Sequence, residues 1–592
     1  MKINKITTIL IFLCLAPLNS FGFEANDDWK GEPNSGFIKT KSIKGSKYMI
    51  STSDERASEA GRKILKNGGN AIDAVIAAQL VLNVVEPHSS GIGGGGFLLY
   101  YDTKNKKTVY FNGREKAPGK AYSTMFLGKN GKPKKFHDAV KGGLSVGTPG
   151  LLMILKQAHG KYGKMPWNEL FESAINIAGD GFEVDKRASL LASKVEYLKD
   201  FKQSKSLYLD KNDQPKKAGA VIRNPEMAKT LKIIAKEGIE PFYKGEVAKD
   251  IAKTVQNSPI NPGFLSAKDL ANYKSETGNL VCSSYRGKYK ICSMPPPSSG
   301  GITVLQILSI LENFDLKKNN PYDPKTIHLI LEATKLAYAD RNEYIADNGN
   351  VPIKQMLDKK YLKKRAALIS SKKALKNAKP GKFKNYQSLA SRNMVFHKAH
   401  EPFSTTHLSV IDQQGNAVAL TSSIEYFFGS GISVRGFMLN NQMTDFSFKP
   451  RVNGKLVANR VEPNKMPRSS MSPTLVFDKD DNLLMTLGSP GGPRIIQFLT
   501  KAIILGLDYG YDLQDAISAP NFIVLNDNVE LESGTDIVKL KPALKKLGHE
   551  VRIIDIVSGI NGAAVNDNSL EGGADPRRQG KAIGDNWFFD LF

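Results

Sequence analysis

The stretch EPFSTTHLSVIDQQGNAVALT, residues 401–421, decides the fold that this sequence predicts. TTHLSVID and AVALT are apolar on both faces of an extended chain, and the intervening QQGN is typical of a hairpin turn. A strand with two apolar faces is covered on both sides, so this hairpin indicates the centre of a layered protein. It begins with the hydroxyls of Thr405 and Thr406, which alone reflect no more than the β-propensity of threonine.

The segments downstream of this hairpin continue the alternation of strands and helices. SPTLVFD and LLMTLGS, joined by KDDN, predict a second hairpin, and PRIIQFLTKAIILGL predicts a helix directly after it. EVRIIDI and GAAVND predict a third pair of strands near the C-terminus. Helices combined with sheets that are covered on both faces give the α/β class, as a sandwich of helix and sheet layers.

The segments upstream of the hairpin are predicted to be mainly helical. Residues 52–87 predict two helices separated by a Gly-Gly pair, the second apolar enough to be fully buried. The glycine loop at residues 89–96 leads into a strand and lacks the Lys-Ser/Thr of a phosphate-binding loop, so close backbone packing is favoured over a phosphate site. Residues 150–380 are predicted to be mostly helical, and residues 365–404 an exposed, mobile connection.

The N-terminus predicts export. Lys2 and Lys5 precede the apolar run ITTILIFLCLAPL, which is too short to span a bilayer comfortably, and small residues follow it. We therefore expect a signal peptide at residues 1–22 and a mature protein that is periplasmic or secreted, with no stable membrane anchor. A buried N-terminal helix and a membrane anchor are the alternatives for this segment.

The net charge of +25 over 592 residues suggests two classes of partner, nucleic acid and anionic surfaces. The lysines are scattered, however, and no zinc-finger or RNA-binding pattern accompanies them. We therefore expect no nucleic-acid partner and interpret the lysines as solvated surface, which can also attract small acidic substrates.

Two cysteines, Cys282 and Cys292, lie beyond the predicted signal peptide. They flank SSYRGKYKI, which predicts two short strands around an Arg-Gly turn, so the cysteines can lie opposite each other. In an oxidising compartment they can form a disulfide, and two free thiols are the alternative. Neither cysteine lies in a pattern with a nearby histidine, so no metal site and no thiol nucleophile are expected.

Thr405 can act as a nucleophile if the bond between Ser404 and Thr405 is cut. A threonine hydroxyl needs a base close by, and the cut would free the α-amino group of Thr405 itself. A free α-amine titrates at roughly 7.7 to 8.0 and can accept the proton of the hydroxyl near neutral pH. One residue then supplies both nucleophile and base, which is the N-terminal threonine variant of the catalytic triad.

The sequence around Thr405 resembles the start of the small subunit of γ-glutamyltranspeptidases, in the N-terminal nucleophile hydrolase superfamily. The resemblance runs through nearly the whole chain beyond the signal peptide, in the order of the family. The stretches that carry it are TTHLSVIDQQGNAVALT, GGNAIDAVIAAQLVLNVVEPHSSGIGGGGF, FNGREKAP, SMPPPSSGGI, LAYADRNEYIAD, LNNQMTDF, PNKMPRSSMSPTLV, GSPGGPRII and ADPRRQGKAIG.

The resemblance implies a four-layer αββα sandwich formed jointly by two chains cut from one precursor. The large subunit would be residues 23–404 and the small subunit residues 405–592. It implies cleavage of the γ-glutamyl bond of glutathione and related compounds through a γ-glutamyl ester, with transfer to water, amino acids or peptides. The family needs no metal and no organic cofactor.

The resemblance also implies a role for individual residues. Thr405 is the nucleophile, and Ser423 provides a hydroxyl that bonds to it. The backbone amides of a Gly-Gly turn form the oxyanion hole, and an arginine with two serines binds the α-carboxylate of the glutamyl group. Acidic and amide side chains hold its α-ammonium. The amides of the oxyanion hole are those of Gly491 and Gly492. Arg114, Ser469 and Ser470 bind the carboxylate, and Asp445, Gln442 and Glu425 hold the ammonium.

The sequence departs from the best-known family pattern in three places. Glu425 occupies a position where many members have asparagine, and Thr444 replaces an aspartate beside Asp445. Residues 446–462 are shorter than the lid loop of several bacterial members and contain no tyrosine to close over the site. The balance between hydrolysis and transfer therefore stays open.

Two other functions remain open from the sequence. Related acylases and poly-γ-glutamate hydrolases of the same superfamily share the nucleophile and differ in the pocket, where Arg114, Asp445 and the pair Ser469-Ser470 favour a free glutamyl head group. An exported solute-binding protein, from a different class, would need no chain cleavage.

Overall fold

The computed structural model describes residues 32–347, 349–383, 404–566 and 569–585, with the backbone of residues 394–395. The predicted signal peptide lies outside the described residues. The strands are β1 (Ile43–Gly45), β2 (Met49–Thr52), β3 (Gly95–Asp102), β4 (Lys107–Gly113), β5 (Phe182–Glu183), β6 (Val221–Ile222), β7 (Glu276–Gly278), β8 (Val281–Tyr285), β9 (Tyr289–Ser293), β10 (Met394–Val395), β11 (Ser404–Ile411), β12 (Ala417–Glu425), β13 (Ser433–Val434), β14 (Phe437–Met438), β15 (Arg451–Val452), β16 (Lys455–Val457), β17 (Thr474–Asp478), β18 (Leu483–Gly488), β19 (Phe522–Leu525), β20 (Asn528–Glu532), β21 (Glu550–Ile554), β22 (Asn561–Asn566), β23 (Ser569–Ala574) and β24 (Lys581–Gly584).

Helices connect and cover these strands. They are α1 (Glu55–Lys66), α2 (Ala71–Val85), α3 (Phe136–Val140), α4 (Leu151–Tyr162), α5 (Glu172–Asp180), α6 (Lys186–Ala192), α7 (Lys202–Tyr208), α8 (Pro225–Glu237), α9 (Glu240–Tyr243), α10 (Glu246–Gln256), α11 (Ala267–Ala271), α12 (Gly300–Leu311), α13 (Pro324–Tyr344), α14 (Ile353–Met356), α15 (Lys359–Ala366), α16 (Ile495–Tyr509), α17 (Leu513–Ser518) and α18 (Lys541–Lys546). In the part of the chain that the structure describes, no helix is both long and apolar enough to cross a membrane.

Two seven-stranded sheets form the centre of the molecule. The first has the strand order β1-β23-β22-β18-β17-β9-β8, and the second has the order β24-β2-β11-β12-β3-β4-β7. Both predicted hairpins are confirmed, because β11 pairs with β12 in the second sheet and β17 pairs with β18 in the first. The two hairpins are therefore central strands of two different sheets.

The side chains of β12 show how the layers are built. Val418 and Leu420 belong to the apolar cluster shared with α2, whereas Ala417 and Ala419 belong to the cluster that includes strands of the first sheet. Successive residues of a strand point to opposite faces, so this alternation places helices on one face and a second sheet on the other. Helices α12, α13 and α16 join the second cluster; α12 and α16 cover the first sheet, and α13 packs against α12. The predicted αββα sandwich is confirmed.

Local sequence explains the placement of α2 beside the first hairpin. Asn70 and Asp73 form a capping box at the start of α2, and every residue of the helix is buried. In the turn between β11 and β12, Asp412 accepts hydrogen bonds from the backbone of Gln414 and Asn416. The same carboxylate accepts from the backbone N–H of Ala71, at 3.0 Å, and so joins the hairpin turn to the start of α2.

The glycine loop before β3 packs against backbone, as predicted. A Cβ on Gly94 would lie 2.2 Å from the carbonyl oxygen of Ser423, and a Cβ on Gly93 would lie 2.1 Å from that of Met438. Only glycine allows the main chain to approach this closely. The loop therefore supports the end of β12.

Both strands of the predicted third pair are present, as β21 and β22, but they do not pair with each other. β21 pairs in parallel with β20 in a separate three-stranded sheet, and β22 pairs with β18 and β23 in the sandwich. A parallel pair needs a crossover connection, and α18 lies in the one between β20 and β21.

Cys282 and Cys292 lie directly opposite each other on β8 and β9 and form a disulfide. The two strands are at the edge of the first sheet. Of the two possibilities that the sequence left open, the structure contains the bonded form.

The connection after α15 is less exposed at its start than predicted. The backbone N–H of Ala374 donates to Leu547, and that of Leu375 donates to Glu332. Gly381 donates to Asp340 at 2.8 Å. The chain is thus tied to α13 and to the end of α18 as far as residue 381, and most of residues 384–403 lies outside the described residues.

Candidate active site

The start of β11 is irregular at Thr405. Ser404 pairs with Glu425 and Thr406 pairs with Ser422, so the register shifts here: Ser423 and Ile424 of β12 together lie opposite Thr405 and form a β-bulge in β12. A bulge interrupts the ladder and re-aims a side chain. Thr405 lines a buried cavity at this end of the hairpin.

The hydroxyls of Thr405 and Ser423 both lie at the peptide bond before Thr405. Thr405 Oγ1 lies 2.6 Å from the carbonyl oxygen of Ser404, and Ser423 Oγ donates to the same oxygen at 2.7 Å. The two hydroxyl oxygens are 3.2 Å apart. In the uncut chain the carbonyl that precedes Thr405 is therefore held between two hydroxyls.

Thr406 and His407 do not line this cavity. Thr406 Oγ1 lies 2.5 Å from Ser53 Oγ. The ring nitrogens of His407 lie 2.8 Å from Thr421 Oγ1 and 3.0 Å from Ser409 Oγ. Complete burial lowers the pKa of His407 to about 3, so its ring is neutral. The histidine of the Thr-Thr-His stretch is a packing residue.

Widely separated parts of the chain converge on the cavity. Every predicted catalytic and substrate-binding residue except Gly491 lines it, and Met471 and Ile495 are additional lining residues that sequence reasoning missed. In the uncut chain its volume is about 20 Å³, which is room for about one water molecule. The predicted residues that line it are Arg114, Thr405, Ser423, Glu425, Gln442, Asp445, Ser469, Ser470 and Gly492.

Gly491 and Gly492 form the turn between β18 and α16. Their φ angles are 131° and 54°, in the region that favours glycine, and a Cβ on Gly491 would lie 2.7 Å from the ring of Phe498. The backbone N–H groups at the start of a helix carry partial positive charge, which suits a developing oxyanion. The roles of both glycines remain predictions.

Arg114 is held in one position by several acceptors. It follows β4 and is 1% exposed. Its Nε donates to the carbonyl oxygen of Pro467 at 3.1 Å, and its Nη2 donates to that of Arg468 at 3.0 Å and to Asp445 Oδ2. A buried guanidinium and a buried carboxylate thus lie side by side in the cavity wall.

Asp445 and Gln442 present acceptors that have no partner among the described residues. Gln442 Nε2 donates to Asp445 Oδ2 at 2.8 Å, which leaves Gln442 Oε1 and Asp445 Oδ1 buried without a hydrogen bond. Buried polar atoms are nearly always satisfied, so an orphaned pair of acceptors indicates a site for a donor. An α-ammonium carries three N–H donors and matches this need.

Glu425 ends β12 in an unusual conformation. Its φ of 84° is rare for a residue with a side chain, and its backbone N–H donates to Ser423 Oγ at 2.8 Å. Asn441 Nδ2 donates to Glu425 Oε2 at 3.0 Å, and Thr444 Oγ1 accepts from the same nitrogen. Burial and then the nearby Asp445 raise the pKa of Glu425 well above its ordinary value.

The two serines of the cavity are held by residues to which sequence reasoning gave no role. Ser299 donates to the carbonyl oxygen of Ser469 through its backbone and its hydroxyl, both at 2.7 Å. Arg341 donates to Ser470 Oγ at 2.6 Å and to Ser299 Oγ at 2.8 Å. Ser299 and Arg341 lie in SMPPPSSGGI and LAYADRNEYIAD, so the resemblance pointed to these segments without assigning a role.

A buried ionic network supports the other side of the nucleophile. Arg578 Nη1 donates to the carbonyl oxygen of Thr405 at 3.1 Å, and its Nη2 bonds to Glu32. Glu32 accepts from Arg187 at 2.6 Å, and Arg187 lies 3.3 Å from Glu86. This network joins the start of the described chain to ADPRRQGKAIG, another stretch of the resemblance to which no role was given.

The short segment at residues 446–462 packs against the acidic side of the cavity. Asn459 Nδ2 donates to the carbonyl oxygen of Asp445 at 2.7 Å, and Asn459 Oδ1 accepts from the backbone of Arg468 at 3.0 Å. Its residue Phe446 is fully buried. The segment therefore helps to position Asp445, independently of any role as a lid.

One group of side chains in the described part of the chain has metal-ligand chemistry: His328, Glu332 and His549. His328 Nδ1 and His549 Nε2 lie 2.7 Å apart, and Lys335 Nζ lies 2.8 Å from Glu332 Oε1. Burial and the neighbouring Lys335 lower the pKa of His549 to about 3. An ammonium already balances the carboxylate, so a hydrogen-bonded packing network fits this group better than a metal site.

The similarity to known proteins covers the part of the chain that contains the residues of this cavity. The sequence matches a family model described as Gamma-glutamyltranspeptidase over residues 57–585. A glutathione hydrolase proenzyme of Bacillus subtilis (strain 168) is 37% identical, covering 98% of each chain. One of Escherichia coli (strain K12) is 38% identical, over 90% of this chain and 91% of that relative.

A solved structure shares the architecture over most of the chain. The crystal structure of a cephalosporin acylase from Bacillus halodurans superposes with a TM-score of 0.77 at 26% identity, over 92% of this chain and 97% of that one. The range matched by the family model contains every residue that lines the cavity.

Proposed function

This chain belongs to the γ-glutamyltranspeptidase family, and on that premise we propose that it is a self-processing glutathione hydrolase and γ-glutamyltransferase. It cuts the γ-glutamyl bond of glutathione and related compounds and passes the glutamyl group to water, amino acids or peptides. The hypothesis of a solute-binding protein is wrong, because the chain belongs to an enzyme family. The acylases are a related branch with the same fold.

One observation carries the proposal: the Thr405 hydroxyl shares a buried cavity with the ion pair of Arg114 and Asp445. A γ-glutamyl group has a carboxylate and an ammonium on one carbon, and its reactive carbonyl lies at the other end. A fixed cation beside buried acceptors matches the first end, and a nucleophile matches the second.

Self-processing begins in the uncut chain. Thr405 Oγ1 attacks the carbonyl carbon of Ser404, and Ser423 donates its hydrogen bond to the oxygen that becomes negative. The hydroxyl proton passes to the nitrogen of Thr405 as the tetrahedral intermediate collapses, which breaks the C–N bond and leaves an ester between Ser404 and the Thr405 side chain. Water hydrolyses the ester, which releases the carboxylate of Ser404 and the free α-amine of Thr405.

Turnover uses the amine that processing releases. The α-amine of Thr405 accepts the hydroxyl proton as Oγ1 attacks the γ-carbonyl of the donor, and the amides of Gly491 and Gly492 stabilise the oxyanion. The proton then passes to the leaving amine as the C–N bond breaks, leaving a γ-glutamyl ester on Thr405. Water or the amine of an acceptor attacks this ester and regenerates the hydroxyl.

Recognition of the glutamyl head group divides between two sides of the cavity. Arg114 with Ser469 and Ser470 binds the α-carboxylate through the guanidinium and two hydroxyls. Asp445 with Gln442 and Glu425 binds the α-ammonium, which satisfies the two orphaned acceptors. The site needs neither a metal nor an organic cofactor for this chemistry.

The subunits and location follow from the same proposal. Cleavage between Ser404 and Thr405 yields a heterodimer of residues 23–404 and 405–592, after removal of a signal peptide at residues 1–22. The enzyme is exported to the periplasm or the medium and keeps no membrane anchor.

The test is N-terminal sequencing of the purified mature protein, combined with release of product from a γ-glutamyl anilide. We expect two chains, the smaller beginning at Thr405, and turnover in the same sample. A single folded chain would overturn the proposal of self-processing, and two chains without turnover would assign the protein to the acylase branch.

A further inference from the structure

One helix layer of the sandwich has a strongly basic outer surface. Nine exposed lysines and no acidic residue lie between residues 359 and 382, a stretch that contains α15 and the chain after it. None of the nine forms an ion pair with a residue that the structure describes, whereas Arg365 of the same stretch is buried and lies 3.1 Å from Asp340. We call these nine lysines, together with the exposed Lys545 and Lys546 of α18, the basic face.

Helix α13 supports the basic face from beneath. His328, Glu332, Leu336 and Asp340 follow one another at intervals of four residues along this helix, so they form one stripe. The stripe is about 18 Å long, at 1.5 Å of rise for each residue. Arg365 of α15 donates to the carbonyl oxygen of Leu336 at 2.9 Å and pairs with Asp340, so α15 lies on this stripe.

The chain after α15 and the end of α18 lie on the same stripe. The backbone N–H of Leu375 donates to Glu332 at 2.6 Å, and the ring of His328 lies 2.7 Å from the carbonyl oxygen of Ser370. His549, just after α18, lies 2.7 Å from the same histidine. Segments that are far apart in the sequence thus lie side by side, and the basic face is one continuous surface.

The composition of the basic face indicates the kind of anion that it contacts. All of its exposed cations are lysines, which act as mobile point charges, whereas a guanidinium is the group that grips individual phosphates in a fixed geometry. A small anion can contact only a few of these lysines at once. Lysines spread over this length therefore match an extended anionic surface better than a small acidic compound.

An exposed apolar side chain lies within the basic face. Leu368 follows α15 and is 52% exposed. Basic residues around an apolar side chain are typical of surfaces that bind at the boundary between lipid headgroups and acyl chains. The aliphatic stems of the lysines add to such a contact while their ammonium groups reach the phosphates. A nucleic-acid backbone gives Leu368 no apolar layer to enter, so a lipid surface fits the basic face better.

We propose that the basic face docks the enzyme reversibly on anionic phospholipid headgroups, with Leu368 entering the interface. This inference goes beyond the proposed function and uses only the proposed export, which brings the protein next to the outer surface of a membrane. Each lysine near an anionic bilayer adds to the affinity, so a cluster of this size binds without any membrane anchor. The contact is electrostatic and weakens as salt screens it.

The experiment measures co-sedimentation of the purified mature enzyme with vesicles of phosphatidylcholine, alone or mixed with phosphatidylglycerol, and bound protein is quantified on a denaturing gel. We expect binding to the mixed vesicles only, and release when salt is raised from about 0.05 M to about 0.5 M. K359Q/K360Q/K363Q/K364Q, on α15, should lower the partition coefficient at least about tenfold. L368N keeps every lysine and should lower it by a smaller factor.

The matched control is K229Q/K232Q/K236Q/K249Q, which removes the same charge from α8 and α10. These two helices belong to the apolar cluster on the other side of the sandwich, and acidic residues accompany their lysines. The control should bind the mixed vesicles like the wild-type enzyme. The lysines exchanged in both quadruple variants are exposed, so both proteins should turn over a γ-glutamyl anilide in solution at the wild-type rate.

Equal partition coefficients for the two quadruple variants would overturn the inference, as would binding of the wild-type enzyme to both kinds of vesicle or to neither. Binding to duplex DNA without binding to the mixed vesicles would assign the basic face to nucleic acid instead. K372E/K373E lies outside any helix and gives a second test if the changes in α15 disturb the fold. Bound protein is counted whether or not it is active, so loss of anilide turnover would contradict the proposed function and leave this result unchanged.

Discussion

Ser423 Oγ lies 2.7 Å from the carbonyl oxygen of Ser404 and donates a hydrogen bond to it, in a chain that has not yet been cut. The donor belongs to the second strand of the central hairpin and the acceptor to the residue before the proposed nucleophile. Pairing of β11 with β12 therefore brings together, in the uncut chain, the groups that we propose for self-processing.

Replacement of Ser423 by alanine should slow self-processing. The oxygen of the tetrahedral intermediate loses its side-chain donor, and removal of one such donor typically costs about 10²–10³ in rate. The measurement is the appearance of two chains on a denaturing gel after expression and during incubation of the purified precursor. S423T keeps a hydroxyl and should mature faster than S423A; equal rates for the two would contradict this role of the hydroxyl.

T405A should remain a single chain and be inactive towards a γ-glutamyl anilide. The same hydroxyl attacks in processing and in turnover, so its loss abolishes both. T405S retains a hydroxyl and an α-amine and should give two chains with measurable turnover. Maturation of T405A at the same bond, shown by intact mass, would rule out Thr405 as the processing nucleophile.

R114K should process normally but bind γ-glutamyl donors poorly. Lysine keeps the positive charge beside Asp445 but loses the planar fork that grips a carboxylate at two points. We expect kcat/KM for a γ-glutamyl anilide to fall by about 10- to 100-fold, the equivalent of one or two charge-assisted hydrogen bonds. An unchanged kcat/KM would place the α-carboxylate elsewhere.

The affinity for the donor should rise with pH until Glu425 is ionised. Burial and then the nearby Asp445 raise its pKa, so below that pKa the Glu425 carboxyl holds a proton that an incoming ammonium must displace. KM for a γ-glutamyl anilide should therefore fall as pH rises, until Glu425 has lost this proton. E425Q cannot titrate at this position and should show a flatter profile, and identical profiles for the two proteins would exclude Glu425 as the titrating group.

Glu115, the neighbour of Arg114, should make the fold less stable as pH rises. Burial raises its pKa from 4.5 to about 8, although Arg114 at 3.5 Å acts in the opposite direction. The folded chain therefore holds a proton that the unfolded chain has lost, and the associated stability is present below pH 4.5 and is lost as pH rises through 8.

The thermal midpoint of T405A should accordingly fall, relative to that of T405A/E115Q, as the pH increases over this interval. The T405A background keeps both proteins as single chains, and glutamine retains the neutral shape of the protonated acid. Parallel midpoints across the interval would show that Glu115 is ionised throughout.

Periodicity and turn chemistry sufficed to predict the two central hairpins and the buried helix α2. Their signals are local: Asp412 organises its own turn, and Asn70 and Asp73 cap their own helix. The pairing of β21 was predicted wrongly because it depends on distant residues. Its partner β20 lies across α18, and no local feature of EVRIIDI distinguishes a parallel from an antiparallel neighbour.

Most of the residues that line the cavity were predicted from the family resemblance and not from their own chemistry, and the structure shows that they lie together. Arg341 and Arg578 escaped that reasoning because each acts through another group, the hydroxyl of Ser470 and the carbonyl oxygen of Thr405. A single sequence contains no periodicity that reports such contacts across hundreds of residues. The β-bulge of β12 opposite Thr405 could not be predicted either, since it arises from a register shift between two regular strands.

The strands of the two proposed subunits alternate within one sheet, where β11 and β12 of the later segment lie between β2 and β3 of the earlier one. After the proposed cleavage, neither polypeptide contains all the strands of either seven-stranded sheet. The uncut precursor can refold as a single chain, whereas refolding of the unfolded mature enzyme would require two chains to associate. The yield of refolding would then depend on protein concentration, and the separated chains would expose unpaired strand edges. The lifetime of the mature enzyme should therefore be set by its rate of unfolding, and a molecule that unfolds at low protein concentration should not refold.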